Sequence, residues 1–62
     1  MKQMQYVDDC LVAVQNVRRE ALKAYNNNDF VKATKLTDDL SSLYICLEIE
    51  LVKLKQELTE IV

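Results

Sequence analysis

The side chains able to do chemistry are few, so their spacing can be weighed group by group. Acidic residues come in close pairs: Asp8-Asp9, Asp38-Asp39, and Glu48 with Glu50. Neighbouring carboxylates could bind a divalent cation or shift one another's ionisation for acid–base work. Adjacent helical positions point about 100° apart, however, and no glycine-bearing calcium loop accompanies them. A solvated helix face is the expected role. Two thiols, Cys10 and Cys46, are too few for a four-thiolate metal site, and without histidine no Cys/His zinc site or imidazole-based triad is open to the chain. Hairpin geometry would set the two thiols at matched height. A bridge needs Cα atoms roughly 4.4–6.8 Å apart, whereas packed helix axes sit about 8–10 Å apart, so two separate buried thiols are expected. No hydroxyl or thiol has a positioned base.

Basic residues gather near the middle: Arg18, Arg19, Lys23, Lys32 and Lys35. With Glu20 and Asp29 they give this stretch a net charge of +3, against −5 for the remainder and −2 overall. Lys32 would lie in the first turn of a helix, where backbone N–H groups attract anions. This group is the candidate patch for an anionic partner, either an acidic protein surface or a phosphate-bearing ligand. A field this weak does not indicate nucleic acid. Arg18 falls level with Thr37 and Asp38, which permits an Arg18–Asp38 or Arg18–Asp39 pair worth about 0–1 kcal/mol if exposed. Tyr6, Tyr25 and Tyr44 fall on or beside apolar stripes and are expected to pack in a core or interface.

The elements that must carry these groups are helical. The sequence has 62 residues, half of them hydrophobic, and no glycine or proline to punctuate turns. Val7, Cys10, Val14, Val17, Ala21 and Ala24 alternate three and four apart, widened by Leu11 and Tyr25, which predicts a helix over about 3–25. Asn26-Asn27-Asn28-Asp29 is the one cluster of turn formers; Asn tolerates the left-handed conformation that ends helices, and Asn28 or Asp29 can cap the next. Ala33, Leu40, Leu47, Leu54 and Ile61 then fall seven apart, interleaved with Thr37, Tyr44, Leu51 and Leu58, a coiled-coil pattern that predicts a second helix over about 30–61. Thr37 and Ser41-Ser42 are poor helix formers, so a break near Thr37 giving three helices is the alternative.

Folding about the turn makes an antiparallel hairpin in which Gln3 falls near Val52. The stretch from Lys53 to Val62 then overhangs by about 15 Å, leaving Leu54, Leu58 and Ile61 without intramolecular cover. Ile45, Ile49 and Val52 form a second apolar face opposite the leucines, with Cys46 at its flank. A helix apolar nearly all round needs more than one neighbour. A chain this small buries only about 60% of its unfolded surface and can hardly spare three large aliphatics. That face is expected in an oligomer core, with a groove on a client protein as the other possibility. The interface residues are therefore Tyr44, Ile45, Ile49, Leu51, Val52, Leu54, Leu58 and Ile61.

Thr37-Asp38-Asp39-Leu40-Ser41, with Arg18 and Arg19 upstream, resembles the Ser-Gln-Glu-Leu-Asp motif of a family of helical-hairpin aspartyl-phosphate phosphatases that act on sporulation response regulators. Leu40 is identical and Thr37 and Asp39 are similar, but Ser41 stands where the motif ends in Asp, and the turn lacks a glycine. The resemblance implies a shared hairpin architecture. The activity it would imply is removal of phosphate from a response regulator, with Asp38 or Asp39 positioning water.

These readings converge on one all-α domain over residues 1–62, a helical hairpin self-associating into a bundle, most simply a homodimer of four helices. The expected function is a small protein-binding regulator or adaptor that modulates a larger protein. A purely structural oligomerisation module and the phosphatase are the alternatives. No catalytic residue, cofactor or metal ligand is assigned, and no membrane span is expected. Two distant cysteines without a signal-peptide pattern point to reduced thiols in the cytoplasm, and the asparagine-rich, glycine-free composition suits a bacterial or phage genome.

Overall fold

The computed structural model describes residues 2–62 and consists of two antiparallel α-helices, α1 (Lys2–Asn26) and α2 (Phe30–Ile61). The three residues between them join the elements through their own hydrogen bonds. Asn28 takes the left-handed conformation at φ 61°. Its N–H donates to the Tyr25 carbonyl at 3.0 Å, and the Asp29 N–H donates to the Ala24 carbonyl at 2.9 Å. That pair of bonds is a Schellman ending, which satisfies carbonyls otherwise orphaned at a helix C-terminus. Asp29 also opens α2: its carboxylate Oδ1 accepts from the Lys32 N–H at 3.3 Å. Asp29 thus closes the first helix and caps the second, and Asn28 takes the left-handed position that a glycine would otherwise fill.

α2 runs unbroken through Thr37, whose Oγ1 donates back to the Ala33 carbonyl at 2.7 Å. That bond occupies the hydroxyl within the helix, and the three-helix alternative is not adopted. The molecule measures 49 × 14 × 12 Å, its long axis matching the roughly 48 Å of a 32-residue helix.

The seam between the helices follows three–four spacing on both. On α1 the buried and half-buried residues are Gln3, Val7, Cys10, Ala13, Val14, Val17, Ala21 and Ala24; on α2 they are Ala33, Leu36, Leu40, Leu43, Leu47, Glu50, Leu54 and Glu57. The seven-residue column from Ala33 to Leu54 is as the sequence predicts, but its companion column is not. Leu36 and Leu43 turn inward, while Tyr44, Leu51 and Leu58 remain 49%, 45% and 41% exposed. The apolar stripe of α2 is broad enough to offer both columns, and facing α1 selects the earlier one.

The expectation for Leu54 is also corrected, since it is 8% exposed and belongs to the hairpin core. The helices meet about a turn centred on Asn28, which sets Gln3 level with Lys53 and brings Leu54 under the first turn of α1. Leu58 and Ile61 stay exposed.

Candidate functional site

Gln3 and Glu50 make the seam's polar layer. The Gln3 amide Nε2 donates to the Glu50 carbonyl at 3.0 Å and to its carboxylate Oε2 at 2.6 Å. Lys53 approaches the other oxygen, Oε1, at 3.4 Å. The Gln3 hydrogen bond, aided by the Lys53 charge, holds the Glu50 carboxyl below its ordinary range against the opposing effect of burial. A paired polar layer ties register, because sliding either helix by a turn would leave its members unmatched. The apolar periodicity gave no notice of it. Gln3 does continue the three–four spacing of α1 backwards from Val7, and that was the available signal.

The seam has two unequal flanks. A shallow cleft on one flank is lined by Gln3, Tyr6, Asp9, Cys10, Cys46, Glu50 and Lys53. Tyr6, Cys46 and Lys53 each stand one position before a seam residue, which fixes this as the polar flank. Reversal of one helix brings like flanks together, so the residues one position after the seam share the other side. There α1 supplies Met4 and Leu11, and α2 supplies Tyr44, Leu51 and Leu58, all of them exposed. This second flank is contributed by both helices, its apolar side chains interleaved with Asp8, Glu48 and Lys55. Beyond it, on the back of α2, Ile45, Ile49 and Val52 form a further exposed patch, edged by Glu48 and Lys53.

The remaining candidates are dispersed. Arg18, Arg19, Lys23, Lys32 and Lys35 are all exposed, but only the three lysines fall on one flank. Arg18 follows a seam position, whereas Lys23, Lys32 and Lys35 each precede one, Ala24, Ala33 and Leu36, which places Arg18 on one flank and the three lysines on the other, near the turn; Arg19 lies on the back of α1. The first turn of α2 already holds the Asp29 carboxylate, which occupies the place an anion would take. The Arg18–Asp38 and Arg18–Asp39 pairs are not formed; among the described residues the ion pair is Lys53–Glu50. Arg18 and Asp39 flank the seam on opposite sides, and Asp38 points outward from the back of α2.

Both cysteines are free. Cys10 is half-buried, but Cys46 is exposed, so the expectation of two buried thiols holds for neither in full. They line one cleft from opposite helices without bonding. The tyrosines are all exposed in the hairpin; Tyr25 meets Phe30 edge-on across the turn, with ring centroids 6.0 Å apart. No cluster of three or more potential metal ligands occurs among the described residues, and no helix there is long and apolar enough to cross a membrane. Comparison with protein-family models, curated proteins and solved structures finds no match to this chain.

Proposed function

We propose that the chain is a small protein-binding regulator or adaptor of the cytoplasm, working as a homodimeric helical bundle that modulates a larger protein. The observation that carries this reading is the imbalance of its apolar surface. Among the described residues five hydrophobic side chains are buried, whereas sixteen large ones are exposed. Isolated exposed hydrophobics are ordinary, but contiguous patches on a small helical protein mark contact surfaces.

Two such patches call for two kinds of neighbour. The flank made by Met4, Leu11, Tyr44, Leu51 and Leu58 draws on both helices, as a bundle contact does. The Ile45–Ile49–Val52 patch points away from α1 and from that flank. It is therefore assigned to the client rather than to the oligomer core, where the sequence alone had favoured it.

The substitution Ile49→Asp tests the assignment, with wild-type and variant chains used in parallel as bait in lysate of the source organism. The variant is expected to keep its helicity and assembly mass and to lose the protein that the wild type retains. Retention of the same protein by both would refute a client face here. Dissociation of the assembly by Ile49→Asp would return the patch to the oligomer core.

A further inference from the structure

The exposed stripe along α2 reads Tyr44, Glu48, Leu51, Lys55, Leu58, with steps of four, three, four and three. Those steps keep all five residues on one side of a helix. The order is apolar, acidic, apolar, basic, apolar, so the stripe reads as its own complement when reversed. We propose that it pairs antiparallel with the same stripe of a second copy, about a two-fold axis near Leu51.

In that register Glu48 meets Lys55 of the second copy twice, once on each side of the axis, and Tyr44 meets Leu58. Leu51 packs against its own counterpart. α1 completes the surface on the same flank. Reflected about Asn28, Met4 stands level with Val52 beside the axis. Leu11 stands level with Ile45, where it reaches the second copy's Leu58. Asp8 stands level with Glu48, adding a second carboxylate for the incoming Lys55. An isologous contact of this kind is self-complementary and closes at two copies.

The surface area agrees in size. A compact monomer of this chain's 7.2 kDa would expose about 4,100 Å². The hairpin exposes 4995 Å². The excess, about 900 Å², is close to the roughly 800 Å² that each partner loses in a standard interface. A groove lined by Leu51, Leu54, Lys55, Leu58 and Val62 lies along this stripe and gives the second helix a seat.

The pairing deepens the self-association proposed above and rests on it. Sedimentation equilibrium of the full chain, comparing wild type, Glu48→Lys, Lys55→Glu and the double reversal, tests both and separates them. Both positions changed are exposed, and circular dichroism verifies that helicity is kept. Each single reversal is expected to weaken dimerisation about tenfold, by converting two attractions into two repulsions. Lys55→Glu is the more damaging, because Asp8 repels it as well, and the double reversal recovers most of the loss. A dimer indifferent to both single reversals, or a double reversal no better than either, overturns this register while leaving self-association intact. A wild-type chain that stays monomeric up to millimolar concentration overturns self-association and the register together.

An independent arm replaces Cys10 and Cys46 by Ala and compares Leu51→Cys with Ile49→Cys under a mild thiol oxidant. Leu51→Cys is expected to form the covalent dimer faster. Preference for Ile49→Cys would contradict the axis position.

Discussion

Gln3 and Glu50 set a polar layer in a seam whose other members, apart from Glu57 at its end, are aliphatic or small. The bond from Gln3 stabilises the charged carboxylate, so the folded chain binds this proton less readily than the unfolded one. The sign follows from linkage. The contribution is fully present above the ordinary glutamate range and is lost as pH falls through the lowered value of the folded state. A carbon-detected NMR titration of Glu50 is expected to show a midpoint below the usual glutamate value. Gln3→Leu should move that midpoint back up and flatten the acid limb of the stability curve. A Glu50 midpoint unaffected by Gln3→Leu would mean that the hydrogen bond does not shape its ionisation. This pair was hidden from a reading of apolar periodicity because neither member is apolar. The three acidic pairs that did attract attention lie apart from one another, and only Glu50 of their members reaches the seam.

The helices themselves were legible, and for identifiable reasons. The three–four spacing from Val7 to Ala24 and the seven-residue column from Ala33 to Leu54 mark two helical faces, and the Asn-rich stretch between them has the residues a helix ending requires. Asp29→Ala should cost about 1 kcal/mol by removing the α2 cap. Asn28→Val should cost a further 1–2 kcal/mol, because a β-branched residue resists the left-handed conformation. Chemical denaturation checks both; an unchanged midpoint for either would remove that residue from the account of the turn. The face α2 turns to α1 was not legible, because the inward column Leu36–Leu43 continues into Glu50 and Glu57 and so reads as less apolar than the outward column of Tyr44, Leu51 and Leu58. Geometry decides between them only once α1 is in place. Leu54→Ala should therefore destabilise the hairpin by about 2–5 kcal/mol, as a buried leucine does when it leaves a cavity. Leu51→Ala should leave helicity of the dilute monomer nearly unchanged and act on association instead. Equal effects of the two on a monomeric chain would contradict the seam described here.

For the whole molecule, the governing fact is a small core beneath a large apolar surface. A slender two-helix hairpin gives each side chain few neighbours, and none of the described residues is buried below 2% exposure. A core of five hydrophobic residues supplies little stability beyond the conformational entropy it must offset. Association couples to folding by mass action, so the melting midpoint should rise with protein concentration by several degrees over a hundredfold range. Self-association is the claim on which the rest depends. Sedimentation equilibrium of the unmodified chain from micromolar to millimolar concentration tests it most directly. A reversible shift from the 7.2 kDa chain to a species of twice that mass, with no larger assembly, is expected. A single species of one-chain mass across the whole range would contradict it.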